Sequence, residues 1–219
     1  MTQQQTSRPG APSKCGCAQR LSRHGRLVHH AILSALARSG QPPSHADLQR
    51  LTAGAGVDLP AALAELAGVD LVVVGAGGRL LAAYPFSAVP TPHRLTLASG
   101  TRVFAMCAID ALGVSAMLGQ PVTVTSAEPG SGRPVGIQVD GEQATWAPRT
   151  TVVLAGATAD CCAPSAQRTC GHVNFFTTPA AARAWAGDHP DLSWALLDQT
   201  QALAKAVAEF GPLLRHPEP

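Results

Sequence analysis

Apolar residues recur at helical spacing through the first third of the chain and at strand spacing after it, and the changeover near residue 70 divides the pattern in two. Over residues 18–38, Leu21, Val28, Ile32 and Ala35/Leu36 fall on one face and Gly40 follows, which predicts a helix with a glycine stop. Ser44 is placed to cap a short helix over 46–53, and Asp58 with Pro60 opens a third that ends near Gly68. Residues 70–75 and 79–84 read as two strands around Ala76-Gly77-Gly78. Three helices and a hairpin predict a winged-helix-like module over 18–84. The tail at 1–17 has no apolar period and reads as disordered.

Prolines punctuate a connector at 85–92, and a second domain is expected over 93–219. It opens with a hairpin (93–98 and 101–106). The Ala-, Leu- and Met-rich stretch 108–118, with no proline and Gly119 after it, predicts a helix. Short strands at 121–126, 134–139, 142–146 and 151–154 have the spacing of an antiparallel meander, with turns at Gly130-Ser131-Gly132 and Asp140-Gly141. A long loop (155–169), a strand (170–176), a helix capped by Thr178 and running to Gly187, a strand (194–197) and an amphipathic helix (199–210) complete it. The fold class expected is α+β: a three-helix winged-helix-like module, then an antiparallel-sheet domain with flanking helices.

A formal charge of +2 with only 14% charged residues gives no basic footprint for nucleic acid. The third predicted helix carries one acid, Glu65, and no base, which argues against a DNA-reading helix. No apolar run is long enough to cross a membrane and the N-terminus lacks a secretion signal, so a cytoplasmic location is expected. In that setting the six cysteines are expected as thiols for metal or chemistry rather than as a disulfide framework. Trp146, Trp185 and Trp194 are assigned to the core, and His29-His30 to the surface of the first helix.

The chemistry concentrates at the strand-to-helix junction Phe104-Ala105-Met106-Cys107-Ala108-Ile109-Asp110. A thiol at a helix N-terminus faces unpaired N–H groups and the positive dipole end, which lowers its pKa. Asp110 lies one turn on, a proton carrier beside a soft nucleophile. Taken alone, the segment is better read as a buried small cysteine and a first-turn acid that complements the helix dipole.

Together with Thr169-Cys170-Gly171-His172-Val173-Asn174-Phe175-Phe176, this junction resembles alkylmercury lyase, the organomercurial lyase family of bacterial mercury resistance. The segments Ala83-Tyr84-Pro85-Phe86-Ser87 and Pro90-Thr91-Pro92-His93-Arg94 are similar to the same family, as is the stretch 179–185. The resemblance implies an active site of Cys107, Asp110 and Cys170, which hold substrate and product mercury while a proton replaces the metal on carbon. No organic cofactor is expected; low-molecular-weight thiols are expected for turnover, with a mercuric reductase as a candidate recipient of Hg(II). Met106 stands where an aromatic residue is often found, and Gly171 where some members carry another cysteine. Cys161 and Cys162, in the long loop before Cys170, are candidates for a relay that moves Hg(II) out; the resemblance assigns no role to Cys15 and Cys17. Two rival readings are a winged-helix metal-responsive regulator, which needs the basic helix that is missing, and a thiol-dependent hydrolase or reductase with Cys107 as nucleophile and His172 as base.

Overall fold

All strand pairings in the computed structural model, which describes residues 20–158 and 169–214, are antiparallel. The expectations for the tail at 1–17, for Cys15 and Cys17, and for Cys161 and Cys162 lie outside the described residues. Helices and antiparallel sheet are combined as the α+β reading expects.

Helix α1 (Arg23–Ser39) starts later than the apolar pattern implies, because Ser22 ends the preceding chain as its cap. The Ser22 hydroxyl accepts from Gly25 N–H, while its own N–H and hydroxyl donate to Glu65 at 2.6 and 2.7 Å. Helix α2 (His45–Thr52) begins with a reciprocal Ser44/Asp47 capping box, and α3 (Leu59–Gly68) with Asp58 as cap and Pro60 in its first turn. Gly40 closes α1 in the left-handed conformation (φ 70°), where a side chain would collide with the Arg102 carbonyl. Thr101 donates to the Arg38 carbonyl at the same place, so the end of α1 rests on the turn before the site-bearing strand.

Strands β1 (Val72–Val74), β2 (Leu80–Ala83), β3 (Phe86–Ser87), β4 (Arg94–Leu97), β5 (Arg102–Ala105), β6 (Val122–Ala127), β7 (Pro134–Asp140) and β8 (Gln143–Ala147) form one sheet. Its order is β1-β2-β3-β5-β4-β6-β7-β8. The N-terminal hairpin is therefore continuous, through β3, with the strands that follow, and residues from Leu21 to Phe210 share one hydrophobic core. Buried and exposed positions alternate along β6 and β7, which cover the core with one face and meet water with the other.

The fourth strand expected in the meander leaves this sheet. β9 (Val152–Ala157) runs past the predicted end and forms the centre of a second sheet, between β10 (Val173–Phe176) and β11 (Ser193–Leu197). Its run of Val152, Val153 and Leu154 is buried on both faces, which is why it does not alternate. Helix α5 (Pro179–Gly187) packs on that sheet over a small core of Val152, Leu154, Phe176, Ala182 and Ala186. Trp146 is buried, but Trp185 and Trp194 are only half-buried at the edge of the small core. His29 also departs from expectation: it is buried at 3% exposure while His30 faces out, because position 29 falls on the inward side with Gly25, Ile32 and Leu33.

Helix α4 (Ala108–Leu118) runs through the middle. Every residue from Ala108 to Met117 is buried, so it has no solvent face. It packs against α6 (Gln199–Phe210), β10 and β5–β7. The α4–α6 approach is close enough that a Cβ on Gly113 would lie 2.5 Å from the Phe210 ring and 2.9 Å from the Ala206 carbonyl. Glycine is the residue that lets these two helices meet at that distance.

Candidate active site

Three chain segments converge at the N-terminus of α4. The first is the β5–α4 junction, where Cys107 is the helix cap and its Sγ accepts from the Asp110 N–H at 3.5 Å. Ser, Thr, Asp or Asn is the usual residue there, so a cysteine cap gives up hydrogen-bond strength for a soft sulfur aimed at the helix start. The second is the turn before β10. Residues Cys170–His172 form one turn of 3-10 helix rather than the first half of a strand, and this aims the Cys170 side chain inward. The third is the β2–β3 corner. β3 pairs with β5 (Phe86 opposite Ala105) and Met106 N–H donates to the Pro85 carbonyl at 3.1 Å, so Tyr84 arrives beside Cys170.

The sulfurs of Cys107 and Cys170 and a carboxylate oxygen of Asp110 all lie within 4.8 Å of one another. The three residues are buried, at 6%, 7% and 3% exposure. Both cysteines are free thiols. The Cys170 thiol donates to the Tyr84 hydroxyl at 3.8 Å, and Tyr84 is itself 1% exposed.

Burial dominates the electrostatics. It pushes the Cys107 thiol well above the ordinary thiol range, reinforced by its hydrogen bond with Cys170 and by the negative charge of Asp110. The sequence-based expectation of a lowered pKa at the helix N-terminus is thereby overturned: desolvation and a neighbouring carboxylate outweigh the dipole. Tyr84 is likewise held protonated, first by burial and then by the charges of Cys170, Asp70 and Asp110. Cys107 is thus a thiol, and a soft cation that binds it must displace the proton. Two sulfurs and one oxygen in a dry site favour a soft metal over magnesium or calcium.

The sequence-predicted trio is brought together, and His172, the base of the hydrolase reading, is not part of the cluster. Tyr84 is the site neighbour to which the sequence reading gave no role. Its position follows from the β3–β5 pairing, a long-range contact that no local pattern announces.

A sequence model of the alkylmercury lyase family (MerB) matches residues 86–211, more than half of the chain. The chain belongs to the alkylmercury lyase family. It is 39% identical over 103 residues to an alkylmercury lyase of Streptomyces lividans, covering 46% of each chain. A second relative, the alkylmercury lyase of Staphylococcus epidermidis, is 34% identical over 110 residues, covering 50% of each chain. The matched region thus spans about half the length of these curated relatives. The fold is that of the crystal structure of the mercury-bound form of MerB2, with a TM-score of 0.74 and 24% identity over 93% of this chain and 99% of that one.

Proposed function

We propose that this alkylmercury-lyase-family chain cleaves the carbon–mercury bond of organomercurials by protonolysis, giving a hydrocarbon and Hg(II). The observation that carries the reading is the buried Cys107–Asp110–Cys170 cluster, with its ligand atoms within 4.8 Å. Mercury is the substrate's own metal, and two thiols at this separation suit its softness. Cys107 captures R–Hg⁺ and gives up its proton, and the Asp110 carboxylate is the adjacent acceptor. Attack by the Cys170 sulfur adds electron density to mercury and makes the bonded carbon more basic. The proton then passes to carbon, R–H leaves, and Hg(II) remains on two thiolates. In balance, R–Hg⁺ and two thiols give R–H, a mercury bis-thiolate and one proton. Fixing donor and acceptor in one cavity can supply on the order of 7–11 kcal/mol of the barrier in ideal geometry. External thiols then remove the product by exchange, and a mercuric reductase is the natural recipient. The deciding experiment is conversion of an arylmercury salt to arene by purified protein with excess thiol; no arene under those conditions sinks the proposal.

Asp110→Asn tests the carboxyl separately. The amide keeps the shape and leaves both thiols, but cannot carry the proton. The variant is expected to bind R–Hg⁺ while releasing hydrocarbon about 10²–10⁴-fold more slowly in a single turnover. Release at the wild-type rate would assign the proton to another group.

The N-terminal helices with β1–β2 are read as a winged-helix-like module that serves as scaffold and not as a DNA reader. The support is α3, whose only charged side chain is Glu65, already engaged by Ser22. Sequence-dependent nanomolar binding in a gel shift at physiological salt would revive the regulator reading.

A further inference from the structure

Behind the cysteines lies a buried polar chain that the proposed chemistry does not use. His93 is 1% exposed just before β4, Ser126 9% exposed on β6, and Asn174 6% exposed on β10. The Ser126 hydroxyl and His93 Nδ1 are 3.0 Å apart, and the Asn174 side chain faces the His93 ring. Asn174 Nδ2 donates to the Gly171 carbonyl at 3.1 Å. A carbonyl can only accept, which fixes the Asn174 amide: its oxygen is the atom left to take a proton from His93 Nε2. His93 Nδ1 is then an acceptor and Ser126 the donor. The chain therefore has one direction throughout, from Ser126 to His93 to Asn174 to the backbone beside Cys170. Burial lowers the His93 pKa to about 4, with the Asn174 side chain opposing, so the ring is neutral and this pattern holds at neutral pH.

The same histidine also grips the other half of the site. Its carbonyl accepts from Ala105 N–H at 2.9 Å, two residues before Cys107, and Thr91 Oγ1 donates to the Ala105 carbonyl at 2.7 Å. The Phe175 ring closes over the imidazole edge-to-face at 5.5 Å. The backbone of His93 thus holds the Cys107 strand, and its side chain, through Asn174, holds the Cys170 turn. The Asn174 amide braces the Cys170 turn from β10, while the Cys170 thiol itself reaches Tyr84 at the β2–β3 corner of the larger sheet.

We propose that His93 and Asn174 are positioning residues that set the separation between the Cys107 and Cys170 sulfurs, with Ser126 fixing the histidine tautomer. The proposal rests on the two-thiolate reading of the site but is tested without organomercurial turnover. The test uses the full chain with Cys15, Cys17, Cys161 and Cys162 changed to serine, so that only Cys107 and Cys170 remain. Phenylarsine oxide condenses with two neighbouring thiols, forming two As–S bonds with loss of water, and so reports their spacing. Methyl methanethiolsulfonate reacts with one thiol at a time and reports access alone.

Asn174→Leu removes the bonds at similar volume, and Ser126→Ala removes only the far end of the chain. The expected result is arsenical affinity about tenfold weaker in Asn174→Leu, the scale of one or two lost buried hydrogen bonds, with a smaller loss in Ser126→Ala. Single-thiol labelling is expected to change by much less. Arsenical affinity equal to the parent in both variants, or a loss matched by equally slowed single-thiol labelling, overturns the proposal. Should Asn174→Leu fail to fold, the Ser126→Ala comparison decides alone. A parent protein that binds arsenical but yields no arene would count against the lyase reading only, so the two failures are separable.

Discussion

Cys107→Ser and Cys170→Ser are each expected to abolish nearly all release of hydrocarbon from an organomercurial while leaving the fold intact. Serine differs from cysteine mainly in its hard oxygen, which does not compete for mercury. It also fits both positions: serine is a good helix cap in place of Cys107, and position 170 lies in a turn. Loss of activity would therefore report chemistry rather than unfolding. The two variants are expected to differ in binding. Cys170→Ser retains the Cys107 thiol and should still capture R–Hg⁺ as a one-sulfur adduct. Cys107→Ser loses the sulfur at the helix start. Wild-type turnover by either folded variant, with thermal melting unchanged, would end the two-thiolate mechanism.

A large acid destabilisation is also expected, from two histidines rather than from the site. His29 and His93 are both nearly fully buried, and burial lowers each pKa from about 6.5 to about 4; His30 adds to the effect on His29. The folded state holds both neutral, whereas the unfolded chain protonates them below about pH 6.5. Stability is thus fully present above that value and is lost progressively as pH falls toward 4. At pH 5 the linkage comes to about 2 kcal/mol per histidine, and about 3 kcal/mol below pH 4. Against a typical total of ~5–15 kcal/mol, two such groups matter. Urea unfolding at pH 7.5 and pH 5 measures the loss directly. His29→Leu should remove about half of it and raise stability at pH 7.5, because His29 Nε2 is buried without a hydrogen-bond partner among the described residues. A free energy that stays flat between the two pH values would refute the assignment.

Most elements were legible because their signals are local. Ser44, Asp58 and Thr178 cap the helices that follow them, and the alternation in β6 and β7 marks one wet face. The start of α1 was misplaced because apolar period alone does not reveal a cap, and the bond between Ser22 and Glu65 spans 43 residues of sequence. β9 was assigned to the meander because a doubly buried strand shows no alternation by which to choose its sheet. In the site, Cys107, Asp110 and Cys170 stood out by motif. The environment that keeps Cys107 protonated did not, since desolvation depends on what packs around the helix start. Tyr84, His93 and Asn174 stood in family-like segments, but their roles were hidden for the same reason: each reaches its place through strand pairing, not through spacing.

The absence of a solvent face on α4 bears on when its amides open. A helix buried from Ala108 to Met117, wedged by Gly113 against Phe210, has no frayed or wetted side from which to unravel. Its hydrogen exchange should proceed through the same transition as whole-molecule melting, not through a small local opening. Cys107 and Asp110 then have no partly open state of their own. Mutations anywhere in the shared core that lower global stability will therefore also raise the rate at which the helix start is unmade.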